Sequence, residues 1–308
     1  MWLLFAFSGP LLWAVSTHID KFLVDKYFHD SDITVLMVFT AFLGVAALPV
    51  IWLFQPNVMA LSWLATIVMT VSGILYMGAM LFYLRAIQSE EASVVAPLFQ
   101  VNTLFTFLLG LVLLHELPRW PQVLGAGLVV LGAVGLSLDR HLHLGRFKPR
   151  LVLLMVSATF VLALSSVVFK YCAVHDEFWS TTFWTFAGEG LFGTAILSVP
   201  DYRRQFLHLF RRNPGAVIGV NAANELINLG GGLGVRYASL LAPVGLVSAI
   251  SATSTFFVFL FGILLTLFFP RLGREDLSAR NLIQKAAGGL LIMAGVVLIE
   301  VQGGGATQ

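Results

Sequence analysis

Charge is what this chain of 308 residues has least of. Only 11% of its residues are Asp, Glu, Lys or Arg, against 58% hydrophobic. A soluble domain carries roughly 25% charged residues, so the polar coat of a water-facing globule is excluded. Cysteine is reduced to Cys172, which excludes an intramolecular disulfide and argues against a Cys-rich metal site. No Walker A, G-x-S-x-G or H-E-x-x-H pattern occurs, so ATP-driven pumping by this chain alone is excluded. A basic n-region before the first apolar run is missing too. The run begins at Trp2 and leads into Asp20 and Lys21, which reads as a first span rather than a cleaved leader. Nor is there a long soluble segment, so the helices and short loops have to carry the function.

Abundant instead are apolar runs of about 20 residues, the length that crosses a bilayer's hydrocarbon core. Spans are expected at 2–23, 33–54, 61–86, 92–114, 119–138, 151–173, 179–199, 215–236, 241–268 and 283–300. Turn chemistry marks the breaks: Gln55-Pro56-Asn57, Pro118 with Pro121, Asp139 to Arg150, Asn213-Pro214, and Pro270 to Arg280. Runs this long and continuous exclude barrel strands, which alternate over about 10 residues.

The two halves of the chain repeat each other. Ala14-Val15-Ser16-Thr17, leading to Lys21, matches Ala163-Leu164-Ser165-Ser166, leading to Lys170. Tyr83-Leu84-Arg85-Ala86 matches Val235-Arg236-Tyr237-Ala238. Thr103 to Gly110 matches Thr255 to Gly262, and Gly125 to Gly132 matches Gly288 to Gly295. The last pair lies further apart than the others, so the second copy carries an insertion near 269–280. Five spans per copy is an odd number, so the second copy enters from the opposite side of the membrane. The expected fold is therefore an all-α membrane protein of about ten transmembrane helices as two inverted five-helix repeats, with substrate held between them. The repeats are expected at 1–140 and 151–301, joined by a basic linker at 141–150. Arg140, His141, His143, Arg146, Lys148 and Arg150 suit a role in topology and contact with anionic lipid. His141-x-His143 has no further ligands, so no metal site is read there.

With these residues in view, the chain resembles the drug/metabolite transporter superfamily, in particular proteins with two EamA-like domains. The carrying features are the Ala86–Gly110 segment ending near His115-Glu116, then Leu124-Gly125 and Leu131-Gly132-Ala133-Val134, with their partners in the second half. The resemblance covers nearly the whole chain. It implies a transporter whose central cavity is lined by spans 1, 3, 4, 6, 8 and 9, with both termini cytoplasmic. Two features depart from the family pattern. Glu116 has Phe268 in the aligned place of the second copy, with Glu275 after the insertion. The proline often found in the middle of the fourth and ninth spans is absent near Asn102 and Ser254; Pro97 and Pro243 lie elsewhere.

Charge placement argues for the other orientation. Of the 18 Lys and Arg residues, all but Arg119, Lys170 and Arg236 fall at odd-numbered loops. The positive-inside rule then puts those loops in the cytoplasm and both termini outside. An inner-membrane, multi-pass protein with its termini on one side satisfies both arguments.

Polar groups inside the spans are the candidate site. Asn221, Asn224, Glu225 and Asn228 fall at i, i+3, i+4 and i+7, which stacks them on one helical face. Facing lipid, they would have no hydrogen-bond partners. They are read as a substrate-lining stripe with Glu225 coupling transport to an ion or proton, the alternative being interhelical hydrogen bonding that holds the bundle together. Lys21 and Lys170 are equivalent in the two repeats. With His18 and Asp20 beside Lys21, they are read as charges at two cavity mouths, the alternative being snorkelling to headgroups. Gln100, Asn102 and Ser251 are further cavity candidates. Tyr76 and Trp13, with Trp184, are aromatics that stack on a substrate or simply pack. Glu189, between Gly188 and Gly190, is as readily a structural partner as a transport residue.

The function expected from these residues is secondary transport, uptake or efflux, of a small polar metabolite or amino-acid-like solute by alternating access. Set against it are a membrane-embedded enzyme or lipid-handling protein, with Glu189, Glu225 and His18 as its candidates, and an accessory membrane subunit. No nucleophile–base pair can be assembled for the enzyme. Expected partners are a small-molecule substrate, membrane lipid and a homodimer mate, with no cofactor and no nucleic acid.

Overall fold

The structure is a computed structural model describing residues 1–27, 32, 34–89, 95, 98–137, 149–212, 214–268 and 279–303. Among them every regular element is helical. In chain order these are α1 (Trp2–Tyr27), α2 (Thr34–Phe54), a 3-10 turn (Pro56–Ala60), α3 (Trp63–Ser89), α4 (Val101–Leu113), α5 (Trp120–Ser137) and α6 (Pro149–His175). They continue as α7 (Phe178–Ser198), α8 (Pro200–Arg212), α9 (Pro214–Leu241), α10 (Val244–Ser251), α11 (Ser254–Phe268) and α12 (Ala279–Gly303). Of the basic linker, only Arg150 is described, exposed near the start of α6. Arg140, His141, His143, Arg146 and Lys148 lie outside the described residues, as do Pro97 and Glu275.

Six segments are long and apolar enough to cross a membrane: Trp2–Leu23, Thr34–Phe54, Trp63–Ala86, Pro149–His175, Val244–Phe268 and Leu282–Glu300. Val101–Leu113 and Trp120–Leu136 are shorter apolar helices. Helices α7 and α9, of 21 and 28 residues, have the length to cross but not the hydropathy. Their packing explains why. Helix α7 runs along α2 and α3 and buries Thr181, Thr182, Thr185 and Glu189. Helix α9 runs along α1 and buries its own polar stripe. A helix sheathed by other helices can satisfy polar side chains that lipid could not.

The remaining contacts tie the two halves together. Helix α3 packs along α6, as α1 does along α9. Helix α4 meets α6, as α11 meets α1. Helix α2 runs along α7, α4 crosses α10, and α5 runs along α12. The α5–α12 contact is a glycine seam. A Cβ at Gly132 would stand 2.6 Å from the carbonyl oxygen of Gly288, and one at Gly288 would stand 3.0 Å from that of Gly132. Gly125 and Gly295 face each other's carbonyls in the same way. Small residues let helix backbones approach closely where no hydrophobic effect drives association.

Two local outcomes differ from the sequence reading. The stretch 241–268 is not one continuous helix. Helix α10 stops at Ser251 and α11 starts at Ser254, and between them Ala252 N and Thr253 N bond tightly back to Ala249 O (3.1 Å) and Ile250 O (2.9 Å). Gln100 is likewise a turn residue ahead of α4. Neither break has a proline in it; a three-residue hydrogen-bond pattern is enough to interrupt the ladder. The second difference is α8, in the stretch read as a break between spans. Tyr202, Phe206 and Leu209 share one face of it. Leu209 is buried against Leu23 and Val35, Phe206 lies 4.9 Å from the Phe39 ring, and Arg203, Arg204 and Arg211 are exposed.

Candidate functional site

The α9 stripe is buried, and it is joined to two other helices. Asn221 and Asn224 are 1% and 0% exposed and Glu225 is 8% exposed, whereas Asn228 is half-buried. Asn224 Nδ2 donates to Asp20 Oδ1 on α1 (2.6 Å). Ser16 Oγ lies 3.5 Å from the other oxygen of Asp20. Glu225 Oε1 accepts from Thr40 Oγ1 on α2 (2.7 Å), and Asn228 stands one turn further along the same helix. Asp20, read as a mouth charge, is thus drawn into the same site as the stripe. Two amide atoms here remain bare: Asn221 Nδ2 and Asn224 Oδ1 are buried with no hydrogen-bond partner among the described residues. Buried polar atoms are nearly always paired, so bare ones mark a place where another molecule's groups would fit.

Further along α9 stands a residue that the sequence reading left as a loop charge. Arg236 Nη2 donates to Glu189 Oε1 on α7 (3.0 Å). Its guanidinium is held between the rings of Phe169 and Phe186, 5.2 and 5.1 Å from their centroids. The flat cation fits between aromatic faces in a way a lysine ammonium would not. Tyr76 on α3 lies within electrostatic reach of Glu189, Arg236 and Glu225, so α3, α7 and α9 converge here. Glu189 therefore has a basic partner, as one of its two readings required. The signal for Arg236 in sequence was only that it lay on the same helix as Glu225.

Lys21 and Lys170 have different surroundings. Lys21 is exposed on α1. Lys170 is 9% exposed, forms an ion pair with Glu116 and donates to Ala242 O (2.6 Å). Glu116 reaches it because α4 ends sharply. His115 takes the left-handed conformation (φ 55°), which histidine tolerates better than most residues, and Glu116 N bonds back to Gly110 O (3.2 Å). The second carboxylate oxygen accepts from Val244 N (2.8 Å), the first amide of α10. An acceptor there satisfies an orphan N–H at the positive end of a helix.

The other candidates are placed as follows. His18 Nε2 donates to Val258 O on α11 (3.0 Å), which puts the ring proton on Nε2. Trp13 packs over Gly231 in the α1–α9 contact. Gln100 is buried at the turn before α4. Asn102 Nδ2 donates weakly to Ser248 Oγ across the α4–α10 crossing (3.4 Å), and its Oδ1 is buried without a partner. Ser251 Oγ bonds back to Val247 O (3.0 Å), the local bond that serine commonly makes inside a helix. Trp184 Nε1 donates to Val58 O (3.0 Å) and so pins the 3-10 turn.

A hollow of about 280 Å³ lies elsewhere, between α3 and α6. Ile67, Val71, Leu75, Val161 and Leu164 wall it, and its two hydroxyls, Ser72 and Ser165, bond each other at 2.8 Å. It is apolar and exposed along α3, and none of the charged candidates touches it.

Residues 1–138 match the EamA-like transporter family. The match agrees with the all-helical bundle and its apolar segments, and the chain is a multi-pass membrane protein whose residues 1–138 are similar to that family. No curated protein matches the chain. Among solved structures, 14 chains match. One of them, described only as the crystal structure of a protein, is 17% identical, with a TM-score of 0.68 over 99% of this chain and 98% of its own. At that identity the likeness carries the fold alone, but it carries it well past the EamA-like segment.

Proposed function

We propose that the chain is a secondary transporter of a small polar or amino-acid-like solute, working by alternating access with ion or proton coupling. It is built from two inverted repeats of five spans each, with about ten crossings in all. The observation that carries this reading is the buried α9 stripe, with Asn221 Nδ2 and Asn224 Oδ1 unpaired inside a chain whose residues 1–138 match the EamA-like family. A solute bearing both donors and acceptors would complete it. Glu225, between Thr40 and Asn228, is the coupling group. The paired contacts support the repeat: α1 with α9 and α6 with α3, α1 with α11 and α6 with α4.

The test is transport into proteoliposomes or cells across a panel of polar metabolites. Uptake or efflux of at least one amino-acid-like solute, lost in an Asn221→Ala protein, is expected. A Glu225→Gln protein that transports with unchanged dependence on both pH and alkali cations would remove the coupling role from Glu225. The second reading, a lipid-handling protein, draws on the apolar hollow between α3 and α6. Lipid exchange between vesicles in the absence of any solute flux would favour it.

A further inference from the structure

Asp20 and Glu225 stand within electrostatic reach of each other where α1, α2 and α9 meet. Neither pairs with a basic side chain among the described residues. Lys21 is exposed, Arg236 is engaged by Glu189, and Lys170 by Glu116. The groups that bond the two carboxylates are neutral: Asn224 and Ser16 on Asp20, Thr40 on Glu225. Glu225 is buried and Asp20 half-buried, and carboxylates so withdrawn from water are rare unless paired or bound to a cation. Among the described residues, then, no positive charge balances the pair.

A second observation says in what form that charge comes. Asn224 is fully buried. Its Nδ2 is spent on Asp20, and its Oδ1 has no donor. Around the two acids stand one bare amide oxygen and the hydroxyl oxygens of Thr40 and Ser16. Among the described residues no nitrogen or sulfur ligand accompanies them, for His18 is committed to Val258 O. Such a donor set is all hard oxygen, which selects alkali and alkaline-earth ions over transition metals. Mg²⁺ gives up its water reluctantly and Ca²⁺ takes six to eight oxygens, more than these few side chains offer, and each acid already accepts a hydrogen bond, so a singly charged ion suits the site.

We propose that Asp20, Glu225, Thr40 and the Asn224 amide oxygen hold a dehydrated alkali cation of sodium size between α1, α2 and α9. The ion ties α1 and α2 to α9, so the arrangement of these helices depends on its presence. The role as coupling ion rests on the transport reading; the occupancy does not.

The experiment uses the purified full chain in detergent at one ionic strength, at neutral pH with choline replaced stepwise by Na⁺, Li⁺, K⁺ or, in trace amounts, Ca²⁺, and in choline alone over a range of pH. A ligand that binds only the folded state raises the melting temperature as its concentration passes Kd. Na⁺ is expected to raise the midpoint by several degrees with a saturable dependence, Li⁺ to act similarly and K⁺ weakly. Asp20→Asn should abolish the response, and Thr40→Val should shift it to about tenfold higher concentration, a loss of one hydroxyl ligand. Identical melting of the wild-type chain in Na⁺ and choline overturns the proposal, and needs no variant to fold. So does a response to acid alone, which would assign the pair to a proton, or a response to Ca²⁺ alone. A Na⁺ response that survives in both Asp20→Asn and Glu225→Gln overturns the location. Solute flux that ignores Na⁺, with no melting shift, would end this proposal and leave transport standing; a melting shift without flux would do the reverse.

Discussion

Lys170 of α6 and Glu116, just beyond α4, are paired under the join between α9 and α10. The lysine also holds Ala242 O and the glutamate holds Val244 N, either side of Pro243. One ion pair thus fixes the backbone where one helix stops and the next begins.

Breaking that pair on one side should be costly. Lys170→Met leaves the Glu116 carboxylate nearly buried with one amide donor, and a destabilisation of about 3–5 kcal/mol is expected. Lys170→Met with Glu116→Gln should lose less than the two single changes added together. Unfolding of the four proteins in one detergent, analysed as a double-mutant cycle, checks this.

His115 offers a milder test of the same corner. Its left-handed conformation suits glycine, so His115→Gly should be neutral or gain up to about 1 kcal/mol. A β-branched side chain is strained there, and His115→Val should cost about 1–2 kcal/mol. Melting temperatures of the two variants should move apart, whichever way the wild type lies between them.

Arg236 should resist conservative replacement. Lysine keeps the charge beside Glu189 but loses the flat contact with Phe169 and Phe186. Arg236→Lys is expected to cost about 1–2 kcal/mol and to lower solute transport, measured in proteoliposomes alongside the melting curve.

Glycine substitutions separate close packing from mere composition. A Cβ on Gly188 would run into the backbone of Thr70 on α3, whereas nothing lies within 4 Å of one on Gly127. Gly188→Ala should cost about 1–3 kcal/mol. Gly127→Ala should gain about 0.5–1 kcal/mol through helix propensity.

Orientation is testable at α8. Its exposed Arg203, Arg204 and Arg211 belong on the cytoplasmic side by the positive-inside rule. A reporter active only in the cytoplasm, fused within 201–213, should be active. A silent fusion would place α8 outside and both termini inside, as the family resemblance implies.

Much of this was legible because polar residues in a greasy chain are conspicuous. The spacing of Asn221, Asn224 and Glu225 was enough to put them on one face and turn that face inward, and all three are buried. Residue spacing cannot say which helix lies opposite. Arg236 and Glu189 meet across α9 and α7, and Glu116 reaches Lys170 through a left-handed turn, so both pairs depend on tertiary contacts that no local pattern encodes. The breaks at Gln100 and at Ala252-Thr253 lack the proline or glycine that would have announced them. Helix α8 was there to be read, from Tyr202, Phe206 and Leu209, but its arginines gave it the look of a connecting loop.

The seam between α5 and α12 has one more consequence. Gly132 abuts Gly288 and is abutted by it, and Gly125 and Gly295 do the same. A contact that reads alike from either side is isologous, the kind two identical subunits make. Here both sides belong to one polypeptide, so this self-complementary surface is spent within the molecule. A second copy, if it docks, has to be sought on some other face.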